Sequence, residues 1–176
     1  KQLAARFGVP ASRSTVIPHG DYAFAGLANQ PGPEEARSRL GLPPSGRVLL
    51  CFGALREYKG IPDLIRAFAR APIRNSKAFL LIVGKPAGLD PRELQRLLDD
   101  QGLSGRSLLR AEYVPFDEIG VYFRAADAVV LPYRGITQSG ALQLAYAFEK
   151  PVIVTRVGAL PETVDEGGNG FIVPPA

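Results

Sequence analysis

Two cationic side chains follow a short apolar run near the middle of the chain. The run Val48–Phe52 is followed by Gly53, and Arg56 and Lys59 come within six residues of that glycine, just before Gly60. A glycine directly after a strand allows the backbone to approach a ligand closely. Arginine binds a phosphate through paired hydrogen bonds, and lysine binds it as a point charge. The spacing therefore indicates a candidate diphosphate site; a surface turn with solvated charges is the alternative.

A polar loop follows a second apolar run, Ala128–Leu131, and precedes a helical pattern. Thr137, Gln138 and Ser139 are each able to cap that helix, and Gly140 leaves room for a bulky anion. Open backbone N–H groups and the helix dipole make such a helix start an anion site. The alternative is an ordinary, well-capped helix without a ligand.

Three more positions extend the candidate site. Gly84 follows the apolar run Phe79–Val83, and Val114 follows the run Leu108–Tyr113. Backbone groups at such strand ends are able to pair with the edge of a base, although this signal is weak by itself. Glu162 is one of few carboxylates near the proposed cleft.

Composition places the chain among ordinary globular proteins, with 46% hydrophobic and 22% charged residues. The net charge of +4 comes from scattered basic residues without a basic run, which argues against nucleic-acid binding. A single cysteine, Cys51, excludes an internal disulfide and a Cys-based metal cluster, and it favours a reducing compartment. The sequence shows neither a long apolar run nor a leader peptide, so we expect no membrane span and no signal in this segment.

Apolar runs alternate with amphipathic segments along the whole chain. Continuously apolar runs are typical of strands covered on both faces, and repeated strand–helix–strand units imply a parallel sheet. The sequence predicts an α/β, Rossmann-like doubly wound parallel sheet, in which ligands bind beyond the carboxyl ends of the strands. The predicted strands are Thr15–Ile17, Val48–Phe52, Phe79–Val83, Leu108–Tyr113, Ala128–Leu131, Val152–Val154 and Phe171–Val173. The predicted helices are Asp63–Ala71, Pro91–Gln101, Phe116–Ala126 and Ser139–Phe148, with a single turn at Pro161–Asp165.

Several other chemistries lack their sequence motifs. The single histidine, His19, has no neighbouring Cys or His for a metal site. The sequence contains no Gly-x-Ser-x-Gly nucleophile elbow, no Gly-x-Gly-x-x-Gly dinucleotide motif and no phosphate-binding loop ending in Gly-Lys-Ser/Thr. A serine hydrolase, a dinucleotide-binding domain and a P-loop enzyme are therefore disfavoured.

Taken together, these segments resemble the retaining glycosyltransferases of the two-Rossmann-domain GT-B fold, family 4 or group 1. That family includes sucrose and glycogen synthases and many bacterial mannosyl- and glucosyltransferases. The resemblance covers nearly the whole chain. It implies an inter-domain segment over residues 1–20 and a nucleotide-sugar-binding domain over residues 21–176. It also implies that the C-terminal helix and the N-terminal acceptor domain of the family are absent from this sequence. The matching blocks are Phe7–Pro10, Val16–Gly20, Gly53–Gly60, Leu81–Gly84, Ala125–Pro132, Lys150–Thr155, Gly158–Glu162 and Gly170–Pro174.

The resemblance also implies roles for individual residues. Lys59 is expected to hold the distal phosphate. Arg56 lies two residues beyond the position of the family's arginine, and we assign it with Lys59 as a catalytic group that stabilises the leaving diphosphate, as a metal does in other enzymes. The resemblance implies no metal and no cofactor, and it places the acceptor on the missing N-terminal domain. The implied donor-binding residues are Gly53, Gly84, Val114, Thr137, Gln138, Ser139, Gly140 and Glu162.

The chain departs from the family pattern at several positions. The family usually carries two glutamates eight positions apart, and these fall here at Ile136 and Leu144, or at Thr137 for the first if the loop contains a gap. The arginine expected after Gly53 is replaced by Ala54, and the glycine expected before Lys150 is replaced by Glu149. These departures leave open the ribose contact and the identity of the donor sugar.

The function implied by the resemblance is retaining transfer of a hexose-like sugar from a nucleoside diphosphate to an acceptor hydroxyl. A non-catalytic nucleotide-sugar-binding module and a sugar-nucleotide epimerase of the same fold remain alternatives. The acceptor is left open among a lipid carrier, a growing polysaccharide and a small aglycone. We expect a cytoplasmic protein of polysaccharide biosynthesis whose association with the inner membrane, if any, depends on the missing domain, and whose isolated nucleotide-binding half is inactive.

Overall fold

Six short parallel strands form a single sheet. The computed structural model describes residues 7–13, 15, 17, 20, 22, 30–70 and 72–176. The strands are β1 (Val48–Phe52), β2 (Phe79–Val83), β3 (Ser107–Arg110), β4 (Ala128–Leu131), β5 (Val152–Thr155) and β6 (Gly170–Val173). Their order in the sheet is β3-β2-β1-β4-β5-β6. The structure confirms the predicted α/β, Rossmann-like doubly wound parallel sheet.

The strand order reverses between β1 and β4. The chain builds the sheet outward from β1 through β2 to β3, and then returns to the other side of β1 to add β4, β5 and β6. Leu49 pairs with Ala128 and Leu50 with Val129, so these two strands run side by side. The loops that follow them therefore face each other across the crevice in which sheets of this class bind ligands.

Helices cover both faces of the sheet and bury it. One core, centred on Leu50 and Val129, packs the sheet against α1, α4 and α5. A second core, centred on Leu80 and Ile82, packs the opposite face against α2 and α3. This two-sided burial is why the strand sequences are apolar throughout instead of alternating. The helices are α1 (Pro33–Leu40), α2 (Ile61–Phe68), α3 (Pro91–Asp100), α4 (Ile119–Ala125) and α5 (Gly140–Ala147).

Two strand predictions differ from the structure by more than one residue at an end. Thr15 and Ile17 are exposed and lie in no strand, while Val16 between them is outside the described residues. The strand predicted over Leu108–Tyr113 ends at Arg110. It ends there because Arg110 is paired with Val83, the last residue of β2, and no neighbouring strand continues beyond that point.

The helix α1 was not predicted, although its boundary signals are present in the sequence. Pro33 stands in the first turn, where its missing N–H costs nothing, and Gly41 ends the helix in the left-handed conformation with φ of 67°. Leu40 and Ala36 are buried in the core beside α4. The Pro- and Gly-rich flanks make the segment look like a loop in the sequence. The short helix is stabilised by the packing of Ala36 and Leu40.

The helices that the sequence predicts are all present, with shifted ends. The segment predicted at Asp63–Ala71 is α2, which starts two residues earlier and ends at Phe68. The segment at Phe116–Ala126 is a 3-10 turn followed by α4, and the single turn expected at Pro161–Asp165 is a 3-10 turn over Leu160–Glu162. Within the described ranges, none of the helices has the length and apolar character needed to cross a membrane.

Candidate functional site

Glycines bring the loop after β1 against the loop after β4. Gly60 adopts a φ of 63°, and a Cβ added to it would lie 2.0 Å from the carbonyl oxygen of Pro132. No other residue type fits this contact without moving backbone. The 3-10 turn over Glu57–Lys59 is consequently pressed against the end of β4, where the strand order reverses.

Lys59 is buried at this contact, with only 7% of its surface exposed. Its Nζ donates to the carbonyl oxygen of Phe52 at 3.2 Å and lies 5.5 Å from the ring centroid of Tyr133. Burial lowers the pKa of Lys59 below its usual 10.5, Cys51 opposes that shift, and the positive charge of Arg56 adds to it. Among the described residues, no carboxylate forms an ion pair with this ammonium. In the part of the chain that the structure describes, this buried positive charge therefore has no protein counter-ion.

Tyr133 joins the two loops, and it is 1% exposed. Its hydroxyl lies 3.2 Å from Oγ of Ser139, and its ring meets the ring of Tyr58 edge-on at 5.9 Å. Its carbonyl oxygen accepts a hydrogen bond from Oγ1 of Thr155 at 2.5 Å. Burial raises the pKa of Tyr133 well above its usual value, so the phenol is neutral at physiological pH. A single neutral side chain thus contacts both Lys59 and Ser139.

Ser139 is the residue that caps α5. Its side-chain oxygen accepts a hydrogen bond from the backbone N–H of Leu142 at 3.3 Å. The first amides of a helix have no partner within the helix, so the N–H groups at the start of α5 are available to an anion. The expectation that Gly140 leaves room for a bulky anion is wrong on the side where its Cβ would point, because the hydroxyl of Tyr22 lies 3.2 Å from that position.

An ion pair and a backbone hydrogen bond fix the loop after β4 to α2. The guanidinium of Arg134 donates from Nε and Nη2 to the two carboxylate oxygens of Asp63, at 2.7 Å and 2.9 Å. The backbone N–H of Arg134 donates to the carbonyl oxygen of Tyr58 at 2.7 Å. Sequence reasoning missed this pairing, because the two residues are far apart in the chain and belong to no motif.

The other phosphate-loop candidates lie at the rim of the crevice. Arg56 is exposed, and its carbonyl oxygen accepts from the N–H of Lys59 at 3.0 Å. The side chains of Thr137 and Gln138 are also exposed. Of the three candidate caps, only Ser139 turns inward, so the structure separates one inward-facing residue from two that face solvent.

Glu162 is exposed, in the 3-10 turn after β5. That turn packs against the loop after β4. Ala159 donates its N–H to the carbonyl oxygen of Thr137 at 3.3 Å, and a Cβ on Gly158 would lie 1.7 Å from the carbonyl oxygen of Ile136. The close approach of these two loops places the turn that carries Glu162 next to the loop after β4.

A cavity of about 230 Å³ opens beside this crevice, at the ends of the first three strands. Gly84 lets the loops after β1 and β2 approach each other beside this cavity, because a Cβ there would lie 2.0 Å from the carbonyl oxygen of Gly53. Tyr113 and Phe116 present aromatic rings at its edge, with 70% and 46% of their surfaces exposed. The structure thus brings three predicted residues into one cavity, whose lining is Phe52, Gly53, Ala54, Gly84, Lys85, Tyr113, Val114, Phe116 and Ile119.

The two aromatic rings were not among the predicted site residues. A signal was present in the sequence, since Tyr113 and Phe116 flank the loop after the third predicted strand. Large aromatic side chains left exposed beside a concave site are typical of a stacking surface.

At the positions where the resemblance places two glutamates, Ile136 and Leu144, the chain has apolar residues that pack into the core, and Thr137, the alternative for the first position, is exposed. Leu144 on α5 is buried, and Ile136 is half-buried against the same core. Neither position presents a carboxylate to the crevice. Within the described residues, no group of three or more His, Cys, Asp or Glu side chains is arranged to hold a metal ion, and His19 lies outside those residues.

Comparison with known proteins shows the family to which the chain belongs. Residues 46–176 match the family model described as "Glycosyl transferases group 1". A D-inositol 3-phosphate glycosyltransferase of Acidothermus cellulolyticus is 32% identical over 181 residues, covering 98% of this chain and 40% of that protein. The chain therefore spans about two-fifths of the length of this curated relative.

Solved structures show the same fold. Sucrose-phosphate synthase from Thermosynechococcus elongatus matches with a TM-score of 0.80 and 27% identity, covering 98% of this chain and 42% of that one. The C-terminal domain of a group 1 family glycosyl transferase from Francisella tularensis matches with a TM-score of 0.69 and 24% identity, covering 89% and 80%. The second likeness concerns the fold alone.

Proposed function

Because the chain belongs to the group 1 glycosyl transferases, we propose that it is the donor-binding half of a retaining glycosyltransferase. It binds a nucleoside-diphosphate sugar, and the sugar passes to an acceptor hydroxyl with its anomeric configuration kept. In this proposal the acceptor binds a second domain, for which residues 1–20 form the connecting segment.

One observation carries the proposal: the uncompensated ammonium of Lys59 and the capped start of α5 meet at the same tyrosine. Lys59 lies over the ring of Tyr133, and Ser139 lies at its hydroxyl. Both groups stand at the reversal of strand order, where this class of sheet binds ligands. A diphosphate placed there would supply the counter-charge that the buried ammonium lacks and would accept from the open amides of α5.

The proposed placement of the nucleotide follows from the cavity beside that point. The base occupies the cavity at the ends of β1, β2 and β3, against the rings of Tyr113 and Phe116. The close approach between Gly53 and Gly84 leaves backbone, without side chains, between the base and the diphosphate. In this arrangement Glu162 faces the sugar or ribose from the turn after β5.

In the proposed reaction the bond between the anomeric carbon and the diphosphate oxygen breaks, and that oxygen keeps the electron pair. Negative charge therefore grows on the leaving diphosphate, and the acceptor oxygen forms its bond on the same face of the sugar. Fixed donors that meet such charge are commonly worth about 3–4 kcal/mol each. Lys59 and Arg56 supply this stabilisation in place of a metal, and any general base belongs to the second domain.

The first test is calorimetric titration of the chain with UDP, GDP, ADP, dTDP and inorganic pyrophosphate. We expect one nucleoside diphosphate to bind most tightly, and pyrophosphate to bind more weakly at the same site. A folded chain that binds none of these ligands would contradict the proposal.

The second test addresses catalysis in a full-length protein that contains this chain. Lys59→Ala is expected to lower turnover by about 100-fold, which is the usual effect of removing one fixed donor to a developing charge. Lys77→Ala is the matched control, because Lys77 is an exposed lysine just before β2, where the strands begin and not where they end. Turnover of the Lys59 variant equal to that of the control would remove Lys59 from the mechanism.

A non-catalytic nucleotide-sugar-binding module is the second candidate function. It is favoured by the burial of Leu144 in the core, because no carboxylate from that position reaches the ribose. Incubation of the full-length protein with nucleotide sugars distinguishes the two candidates. Transfer to an acceptor, or slow hydrolysis of the donor, supports the enzyme, whereas tight binding without turnover supports the module.

A further inference from the structure

We propose that Tyr133 is a positioning residue that sets Lys59 and Ser139 in place for the diphosphate before the nucleotide binds. The inference rests on the proposed function and adds a residue to it. Tyr133 lies two residues after the end of β4, inside the crevice, and belongs to none of the matching family blocks.

The position of Tyr133 is itself fixed from three directions. Thr155 of β5 donates to its carbonyl oxygen, Tyr58 packs edge-on against its ring, and Ser139 contacts its hydroxyl. With almost no exposed surface, the ring has no room to rotate into solvent. A ring held in this way is a rigid support for flexible groups that pack against it.

The first group that Tyr133 positions is the ammonium of Lys59. A lysine ammonium has three hydrogen-bond donors, and one of them is used by the carbonyl oxygen of Phe52. The ring face of Tyr133 attracts the positive charge without accepting a conventional hydrogen bond. The ammonium is therefore held on two sides, while donors remain free for phosphate oxygens.

The second group that Tyr133 positions is the hydroxyl of Ser139. Its oxygen accepts from the N–H of Leu142, and its second lone pair is able to accept the phenolic proton of Tyr133. In that arrangement the serine keeps its own proton for an incoming phosphate oxygen. Tyr133 thus contacts the ammonium of Lys59 with its ring face and, through its hydroxyl, the Oγ of Ser139 at 3.2 Å.

The experiment is a set of double-mutant cycles. The ligand is the nucleoside diphosphate that binds most tightly in the calorimetric titrations, and its affinity is measured by NMR chemical shifts so that weak binding can still be quantified. Tyr133→Leu is expected to weaken binding by about tenfold in the wild-type background, the scale of a desolvated cation–π contact. In the Lys59→Ala background the same change is expected to weaken binding less than about twofold. Equal weakening in both backgrounds would show that Tyr133 does not act through Lys59 and would overturn the proposal.

The conservative variant separates the hydroxyl from the ring. Tyr133→Phe is expected to weaken binding about threefold in the wild-type background. In the Ser139→Ala background the same change is expected to have almost no effect, because the phenol then has no serine hydroxyl to hold. Ser107→Ala is the control: it also removes a hydroxyl hydrogen bond, from the half-buried Ser107 to the carbonyl oxygen of Leu103 at 2.8 Å, but at the start of β3, away from the crevice. Weakening by the control equal to that by Tyr133→Phe would mean a general loss of packing.

A measurement without ligand distinguishes failure of this inference from failure of the proposed function. In Tyr133→Phe the amide hydrogen of Leu142 should exchange faster than in the wild type and in Ser107→Ala, because the cap that protects it is no longer held. Unchanged exchange would overturn the positioning role even in a chain that binds nucleotides. Faster exchange in a chain that binds no nucleoside diphosphate would instead support the contact between Tyr133 and Ser139. The same result would contradict the diphosphate role and, with it, the proposed function.

Discussion

The ammonium of Lys59 occupies the space that a side chain at position 53 would fill. A Cβ built on Gly53 would lie 2.5 Å from Nζ of Lys59, well inside contact distance. The glycine after β1 is therefore required by the lysine six residues later as well as by its own backbone, whose φ is 107°. This pair links the first loop of the crevice to its buried charge.

Gly53→Ala should displace the Lys59 ammonium and weaken binding of a nucleoside diphosphate by about tenfold or more, the scale of a lost charged hydrogen bond. Gly102→Ala is the matched control, because Gly102 also has a positive φ of 68°, yet a Cβ there would meet nothing within 4 Å. Both variants should lose stability from backbone strain. Calorimetric affinities checked against thermal unfolding separate the effects, and equal affinities for the two variants would refute the displacement.

Lys59→Met should change binding and stability in opposite directions. Replacing a buried, unpaired cation by an apolar side chain of similar length is expected to raise the free energy of unfolding at pH 7 by about 1 kcal/mol. Binding of a nucleoside diphosphate should fall by about 100-fold in the same variant. Denaturant unfolding and calorimetry provide the two values. A variant that is less stable than wild type would show that the buried ammonium stabilises the fold.

The lowered pKa of Lys59 also predicts a pH dependence of stability. Because burial lowers the native pKa below the usual 10.5, the unfolded chain binds more protons between the two values. The contribution of Lys59 to the free energy of unfolding should therefore rise as pH increases through that window. The difference between Lys59→Met and wild type should shrink over the same range, and a constant difference would contradict the shift.

Tyr113→Ala should separate base binding from diphosphate binding. Loss of one stacking ring is expected to weaken binding of a nucleoside diphosphate by about tenfold while leaving inorganic pyrophosphate unaffected. Phe171→Ala is the control, because Phe171 is an exposed aromatic residue on the edge strand β6. An equal loss of affinity for both ligands would place Tyr113 at the phosphates instead of the base.

Glu149→Gly should stabilise the chain. Glu149 is the residue just past α5 with a positive φ, 55°, and its N–H and that of Lys150 close the helix end onto Tyr146 and Ala145. This left-handed position favours glycine. We expect a gain of about 1 kcal/mol, or about 2–4 °C in the unfolding temperature. Glu149→Ala removes the carboxylate but keeps the strained backbone, so a gain in that variant would assign the effect to charge.

Asp127→Asn should destabilise the chain at neutral pH. Burial alone would raise the pKa of Asp127, but the N–H of Val48, at 2.7 Å, and the guanidinium groups of Arg47 and Arg37 lower it overall. A lowered native pKa gives stability that is present above the unfolded pKa of about 3.9 and is lost as pH falls through the native value. We expect a cost of about 2 kcal/mol at pH 7 that diminishes in acid.

The control for this variant is Asp100→Asn, an exposed position at the end of α3, where we expect a change below about 0.5 kcal/mol. Unfolding curves from pH 7 to acid give the comparison. An Asp127→Asn penalty that stays constant down to low pH would mean that the carboxylate charge is not responsible.

The sequence by itself determined the fold class and the loops in which to look for a site. Continuous apolar runs such as Phe79–Val83 predict strands buried on both faces, and alternation with helices predicts parallel pairing. The same spacing places Lys59 after one strand and Ser139 at the start of a later helix. These features can be recognised locally, because an apolar run and a helix cap are each patterns of residues within a few positions of one another.

The tertiary structure decided which of the candidates work together. Nothing in local spacing distinguishes Ser139 from Thr137 and Gln138 as the inward-facing cap, or shows that Lys59 is buried without a counter-ion. Tyr133 and the pair formed by Arg134 and Asp63 could not be predicted either, because their contacts join segments about seventy residues apart in the sequence. Such contacts exist only once β1 and β4 lie side by side, since the reversal of strand order sets the distance between their loops.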